Sequence, residues 1–165
     1  IVDILYAPLS AGEVTIAVTL AAVTRSIMIA FISICVFNLI IDFEIKNHLT
    51  LILYTFLSSF ILGALGVVAG LWAEKFDHMA TVTNFIIIPL SFLSGTFYTI
   101  DKLPGYLYLI SKANPFFYMI DGFRYSFIGQ SDGSLAIGII YLTILSFIMF
   151  MTAYILYKKG YKIKS

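Results

Sequence analysis

Residues 49–73 have the sequence LTLILYTFLSSFILGALGVVAGLWA, which contains no charged residue. A helix needs about 20 apolar residues to cross the hydrocarbon core of a bilayer, and this stretch is long enough. Small or hydroxylated residues recur along it at steps of three or four, so they share one helix face. They are Thr55, Ser59, Gly63, Gly66 and Gly70. Because small residues let helices approach closely in lipid, this face predicts packing within the chain, with a subunit interface or sliding surface as the alternative.

Three further apolar runs occupy residues 14–41, 79–100 and 134–157, and the last two also lack charge. The chain has 165 residues, of which 61% are apolar and 12% are charged, and its mean hydropathy is +1.00. A soluble domain usually carries about 25% charged residues. The sequence therefore predicts an all-α membrane protein, with four transmembrane helices in a single domain that spans residues 1–165.

The first run, residues 14–41, combines a polar stripe with a buried charge. Arg25 lies roughly 17 Å along the helix from the start of the run, near the middle of the membrane. A charge at that depth costs at least about 2.5–3.5 kcal/mol. We therefore expect Arg25 to form an ion pair or a carbonyl contact. Snorkelling and a role in a transport path are the alternatives. The stripe itself consists of Thr15, Thr19, Ala22, Ser26 and Ser33.

The third run, residues 79–100, contains Pro89 near its middle. Proline removes one helical hydrogen bond and bends the helix, and neighbouring groups can satisfy the freed carbonyl in a membrane. We expect a structural kink here, with a hinge or gate as the functional alternative. The polar face of this run carries Thr81, Asn84, Ser91 and Gly95.

The segment 101–133 between the last two runs is apolar and aromatic rather than hydrophilic. Its pieces 103–110 and 114–125 are each too short to span a membrane. We predict two short re-entrant or interfacial helices in the outer leaflet. Pro104 and Pro115 suit the first turns of these helices, where a missing N–H costs nothing.

The orientation follows from the tail 158–165, which contains four lysines. Lysine and arginine next to a membrane helix favour the cytoplasmic side, so we expect a cytoplasmic C-terminus. Counting back through four spans places residues 1–13 in the cytoplasm as well. Lys102, Lys112 and Arg124 in the outer segment weigh mildly against this arrangement. The chain opens at Ile1 with no signal-peptide pattern, and we expect it to be the C-terminal part of a longer polypeptide.

Several function classes find no support in the sequence. The net charge is +1, without the clustered basic surface that nucleic-acid binding needs. No phosphate-binding loop or zinc-protease motif occurs. Cys35 is the single cysteine, and His48 and His78 lie at predicted membrane edges. We predict no catalytic, cofactor-binding or metal-binding residues.

Three stretches resemble the permease subunits of ABC-2 type transporters of the bacterial exporter kind. They are GLWAEKFDHMATVTNF (70–85), PLSFLSGTFY (89–98) and NPFFYMIDGFRY (114–125). The opening residues 1–13 are similar to the family's cytoplasmic stretch between its second and third spans. The resemblance implies six spans per subunit, of which the last four are present here, and a location in the bacterial plasma (inner) membrane.

The resemblance also implies partners and a mechanism. Two permease subunits pair as a homodimer, and separate ATP-binding subunits dock on the cytoplasmic side. ATP is bound by those partners, so this chain would be a transport subunit rather than an enzyme. The residues that the resemblance places at or near the docking surface are Leu5, Tyr6, Pro8, Glu13, Glu74, Lys75 and Asp77.

A translocation path and its closure are implied in the same way. Phe92, Leu93 and Phe97 would form an outer hydrophobic seal, and Arg25, Asn84 and Pro89 are the candidates for the path below it. The short helices after residue 101 would cap the path. The cap residues are Asn114, Pro115, Tyr118, Asp121 and Arg124, of which the last two are three apart and suited to pair on one helix face.

Three other functions compete with an exporter subunit. A fragment of a secondary transporter would need internal repeats or a coupling-ion site, and the sequence has neither. A non-transporting membrane scaffold would lack a cargo path. A membrane-embedded enzyme would need a catalytic cluster, and none is evident.

Overall fold

The chain is described by a computed structural model that covers residues 10–41, 44–73, 76–98 and 104–159. Within these ranges it forms helices and no strand, which confirms the all-α prediction. A π-helical segment, Thr83–Ile87, joins α3 to α4. The α-helices are α1 (Ala11–Ile40), α2 (His48–Trp72), α3 (Phe76–Val82), α4 (Ile88–Phe92), α5 (Gly105–Ala113), α6 (Pro115–Ile128) and α7 (Leu135–Lys158).

The two long N-terminal helices begin with side-chain caps. Ser10 Oγ accepts from the Glu13 N–H, and the Glu13 carboxylate accepts from the Ser10 N–H at 2.7 Å, so α1 opens with a capping box. The Asn47 side chain accepts from the Thr50 N–H at 3.0 Å and caps α2. These polar residues satisfy N–H groups that have no partner within the helix.

Three helices are long and apolar enough to cross a membrane among the residues described: α1, α2 and α7. Each agrees within a few residues with a predicted span. The chain is therefore a multi-pass membrane protein by the length and composition of its helices. Large apolar side chains such as Phe31, Leu39 and Phe147 are exposed on these helices, as expected for surfaces that face lipid.

The third predicted span, 79–100, differs from the structure at both ends. Helical backbone runs over residues 76–92 and then gives way to turns at 93–98. Gly95 adopts φ 78°, a left-handed conformation that ends helices. The prediction of one helix as far as residue 100 was therefore wrong. The helical part is roughly 25 Å long, close to the lower limit for a membrane crossing.

Helix α2 is the centre of the bundle and packs against α1, α6 and α7. Its buried residues Tyr54 and Ile61 form the core together with Met119 of α6 and Leu142 of α7. The polar stripe of α1 faces α2, since Thr15 and Thr19 are fully buried. Their hydroxyls donate to carbonyls one turn earlier, so burial leaves neither unpaired.

The long helices share two ends, which we name the cap end and the tail end. Tyr54 OH donates to the Leu135 carbonyl, which places the first turns of α2 and α7 together at the cap end. The Phe60 and Phe150 rings lie 5.8 Å apart further along, so α2 and α7 run parallel. A methyl group on Gly12 would lie 3.6 Å from the Tyr154 ring, so the start of α1 meets the end of α7 at the tail end.

Two short helices, α5 and α6, lie between the last two long segments, as the sequence predicted. Pro115 occupies the first turn of α6, and Pro104 directly precedes α5. Gly129 ends α6 with φ 78°, and its N–H donates to the Tyr125 carbonyl at 2.8 Å.

Candidate functional site

Residues 76–92 form a helical segment that we name the path segment, because it carries the candidate path residues Asn84 and Pro89 and the candidate seal residue Phe92. It contacts the bundle near its two ends, where α3 meets α2 and α4 meets α6. Asn84, Pro89 and Phe92 are exposed on it. The middle of the segment therefore presents an uncovered face with a polar amide at its centre.

The backbone of the path segment adapts to Pro89 through the π-helical turn. The Ile88 N–H donates to the Thr83 carbonyl, five residues earlier, instead of to the carbonyl four residues earlier. Pro89 follows in the first turn of α4, where its missing N–H is tolerated. The irregularity that we expected at Pro89 is thus a π bulge, a feature frequent at functional sites.

The predicted seal residues lie at the end of the path segment. The Phe92 and Phe97 rings stack with their centroids 5.5 Å apart, and Leu93 is half-buried beside them. Both rings remain exposed in a single chain. The structure therefore brings two of the three seal residues into contact.

Arg25 lies on the exposed side of α1. In the described part of the chain its guanidinium has neither an ion pair nor a carbonyl contact. The structural contact that we expected is therefore missing among those residues. The two alternatives for Arg25, a role in a transport path and snorkelling toward the membrane surface, stay predictions.

Asn114 joins the cap to the path segment. Its side chain is buried, with 2% of the residue exposed. Its Oδ1 accepts from the Phe116 N–H at 3.0 Å and caps α6, while its Nδ2 donates to the Leu90 carbonyl at 2.6 Å. One amide thus starts α6 and holds α4 against it, using both its acceptor and its donor.

Tyr118 lies in an aromatic cluster between α6 and α7. Its ring centroid is 5.0 Å from those of both Phe117 and Tyr141. Tyr141 OH donates to the Ala113 carbonyl at 2.7 Å, which ties α7 to the end of α5. The cluster fixes the two short helices against the long one.

The expected pair of Asp121 with Arg124 is wrong. Arg124 Nη1 instead pairs with Asp132 Oδ2 at 2.6 Å, and Arg124 Nη2 donates to the Gly95 carbonyl at 2.5 Å. The helix spacing indicated a partner on α6, whereas the real partner lies in the loop before α7. A local pattern cannot reveal a loop that folds back over the helix.

Asp121 has a different role, as an acceptor for that loop. It is 3% exposed, and its two oxygens accept from the N–H groups of Asp132 at 2.7 Å and Gly133 at 3.0 Å. Burial raises the pKa of Asp121 above its usual range, although the two backbone hydrogen bonds oppose the shift. The carboxylate therefore fixes the loop at the cap end.

Several supporting residues escaped the sequence analysis. Tyr54 is 1% exposed, and a methyl group on Gly122 would overlap its ring. Lys46 Nζ donates to the Ile128 carbonyl at 2.6 Å, at the end of α6. A tyrosine in a charge-free helix and a glycine within an aromatic stretch were the available signals, but neither identifies its partner.

The glycine face of α2 divides into two parts. A methyl group on Gly63 would lie 3.0 Å from Ala22 Cβ, so this glycine permits close contact with α1. Among the residues that the structure describes, a methyl group on Gly66 or Gly70 would meet nothing within 4 Å. Packing within the chain, which we expected for the whole face, therefore holds for Gly63, whereas the described residues place no partner against Gly66 or Gly70.

An apolar cavity of about 440 Å³ lies between the cap-end halves of α1 and α2. Phe31 and Ile34 line one side, and Ile52 and Phe56 line the other. Thr55 is its polar contribution, and the Thr55 hydroxyl is already bonded to the Leu51 carbonyl. The lining suits hydrocarbon rather than a polar ligand.

The candidate docking residues fall largely outside the described ranges. Leu5, Tyr6, Pro8, Glu74 and Lys75 all do so. Glu13 is exposed in the capping box of α1, and Asp77 is exposed in the first turn of α3. Both lie at the tail end, where the Trp72 and His78 rings are 5.3 Å apart. Within the described residues no group of histidine, cysteine or carboxylate side chains could hold a metal ion.

Comparisons with known proteins agree with the resemblance. Residues 1–128 match the profile of the family described as ABC-2 type transporter. The chain is 26% identical over 165 residues to the inner membrane transport permease YadH of Escherichia coli K12, and equally to its counterpart in Shigella flexneri. The match covers 99% of this chain and spans 64% of the length of these relatives. No solved structure matches the chain.

Proposed function

Because the chain belongs to the ABC-2 type transporter family, we propose that it is a membrane-spanning permease subunit of an ATP-binding cassette exporter. In this role it forms the translocation path and couples to a separate ATPase subunit, which binds the ATP. The observation that carries the proposal beyond the family match is the path segment, which meets the bundle near its ends and leaves Asn84 uncovered.

The path segment is proposed as the fourth membrane crossing. It joins the tail end, where α2 finishes, to the cap end, where Asn114 holds Leu90. An exposed amide within lipid is costly, so its face suits a water-filled path or a protein partner better than acyl chains. A second copy of the chain, paired as a homodimer, would enclose that face.

The tail end is proposed to face the cytoplasm, which gives a C-terminus on the inner side of a bacterial plasma membrane. The lysine-rich residues 158–165 support this orientation. Glu13 and Asp77 would then face the ATPase together with the candidate docking residues around them. The cap helices α5 and α6 would lie at the outer leaflet, where the exposed Tyr106 and Leu109 side chains of α5 suit an interface.

The test is co-purification of the full-length protein from native membranes, followed by reconstitution with the recovered partner. We expect an ATP-binding cassette subunit to co-purify, and its ATP hydrolysis to change when the permease is present. Recovery of the protein without any ATPase, under conditions that preserve other transporter complexes, would favour a secondary transporter or a scaffold.

A further inference from the structure

Arg124 joins α6 to two other segments of the chain. The guanidinium extends from α6, pairs with Asp132 in the loop before α7, and donates to the carbonyl of Gly95 in the turn after α4. The left-handed Gly95 has already left the helix. Its carbonyl is therefore free to accept a bond from another element.

Asp121 determines where Asp132 lies. Both of its oxygens accept backbone N–H groups, from Asp132 and from Gly133. A methyl group on Gly133 would lie 3.2 Å from both Asp121 Oδ2 and the Phe117 ring, so the loop is closely seated on α6. The Asp132 carboxylate is thus held beside Arg124.

We propose that Arg124 and Asp121 are positioning residues that latch the cap end of the path segment. Asp121 fixes the loop, Asp132 orients the guanidinium, and Arg124 donates a hydrogen bond to the Gly95 carbonyl. The inference deepens the proposed function, on which it rests for the meaning of the path segment. Its physical content is narrower: breaking the hold on Gly95 frees residues 93–98 from α6.

A guanidinium suits this position better than an ammonium. It is planar and donates from two nitrogens in fixed directions, so it can hold a carboxylate and a carbonyl at once. Lysine would keep the positive charge, yet it is a point donor on a flexible stem. Arg124→Lys therefore separates the geometry of the latch from its charge.

Ser94 offers a reporter for release of the latch. It directly precedes Gly95 and is 1% exposed. We would place Ser94→Cys in a full-length protein whose exposed Cys35 is replaced by alanine. The labelling rate with a small water-soluble thiol reagent is measured in nanodiscs, which open both membrane faces to the reagent.

The expected result is faster labelling of the cysteine at position 94 when the latch is broken. Loss of a hydrogen bond to a charged group shifts a local equilibrium about tenfold, so Arg124→Lys should accelerate labelling by about that factor. Asp132→Asn and Asp121→Asn should act in the same direction. Ser131→Ala is the matched control, because Ser131 bonds within the same loop to Gly133 and should leave the rate unchanged.

A second reporter, Ser126→Cys, separates local release from unfolding. Ser126 is fully buried further along α6. Labelling at 94 that stays at the wild-type rate in Arg124→Lys overturns the latch, and so does equal acceleration at 94 and 126. Both rates are measured without an ATPase. Accelerated labelling at 94 alone in a protein that binds no ATPase would support the latch and contradict the proposed function.

Discussion

At the scale of single residues, the Asn114 side chain makes two hydrogen bonds that can be removed separately. Serine keeps the N-cap acceptor but cannot donate to the Leu90 carbonyl, whereas alanine loses both bonds. We expect Asn114→Ser to destabilise the protein by about 1–3 kcal/mol, because a buried carbonyl loses its donor. Asn114→Ala should cost about 1 kcal/mol more, for the cap.

Thermal unfolding of the purified protein in detergent measures both Asn114 variants. Equal stability of Asn114→Ser and wild type would mean that the bond to Leu90 contributes nothing. Equal stability of the serine and alanine variants would instead mean that the cap of α6 contributes nothing to stability.

Gly122 has no room for a side chain in the described structure. A methyl group at this position overlaps the buried Tyr54 ring, and overpacking of a core typically costs about 1–3 kcal/mol or more. We expect Gly122→Ala to reach the upper part of that range in the same unfolding assay. Gly66→Ala is the matched control, since its methyl meets no described residue within 4 Å and alanine gains up to about 1 kcal/mol of helix propensity. A Gly122→Ala protein as stable as the control would contradict the packing around Tyr54.

Asp121 predicts a pH dependence. Its pKa is raised in the folded chain, mainly by burial, so the folded state binds the proton more tightly than the unfolded state. Its contribution to stability is therefore complete below the unfolded pKa and is lost as pH rises through the folded pKa. We expect the stability of wild type relative to Asp121→Asn to increase as pH falls from about 7 to about 4. Melting temperatures of both proteins across this range measure the difference, and a gap independent of pH would argue against a raised pKa.

At the scale of elements, hydropathy predicted the three long helices because their apolar runs end at polar or charged residues. The same signal failed in the third run, where apolar residues continue past Gly95 although the backbone turns there. Hydropathy reports burial in lipid but not the direction of the chain. Apart from Pro89, no residue in the sequence indicates the π bulge. The bulge differs from an α-helix only in which carbonyl the Ile88 N–H selects as its acceptor.

The end of α6 depends on a residue from another element. The Lys46 ammonium donates a hydrogen bond to the Ile128 carbonyl. The backbone N–H groups of Lys46 and Asn47 both donate to the Ser126 carbonyl. A cation at a helix C-terminus also complements the helix dipole. We expect Lys46→Met to destabilise the protein by about 1–2 kcal/mol.

Hydrogen exchange should locate the Lys46 effect in the last turn of α6. Lys46→Arg, which retains the charge and donors, should lose less protection there. Unchanged exchange in the methionine variant would mean that the loop holds α6 through its backbone alone.

At the scale of the whole molecule, the sequence predicted the class of protein far better than its site. Charge-free runs and the resemblance predicted a membrane transport subunit. The contacts of Arg124, Asp121 and Asn114 instead depend on loops and helices that meet only in the folded chain. Arg25 shows the same limit of sequence analysis. A charge in the middle of an apolar helix indicates a free-energy cost in the membrane, but it does not identify the group that compensates for it. No contact within the described part of the chain explains Gly66 and Gly70.

The proposed docking surface can be tested at Glu13 with a variant that keeps the capping box. Glutamine at this position can still complete the capping box, so Glu13→Gln removes the charge and keeps the start of α1. We expect the variant, combined with Asp77→Asn, to bind the ATPase several-fold more weakly at a melting temperature close to that of wild type, because exposed ion pairs with the partner are lost. Affinity measured by titration against the purified partner tests this. If the double variant bound the ATPase with wild-type affinity, neither carboxylate would belong to the docking surface.

The π-helical turn at 83–87 has a consequence for how such chains can diverge. It houses one residue more than an ordinary helix of the same rise, so a single-residue deletion there can be absorbed without breaking the helix. The extra residue is taken up within that one turn, so such a deletion would restore regular α-helical hydrogen bonding and leave Phe76–Val82 at nearly the same rotation relative to Phe92. A relative shortened by one residue here would therefore present the same helix face and keep the same attachment to α6, and it would lose only the bulge.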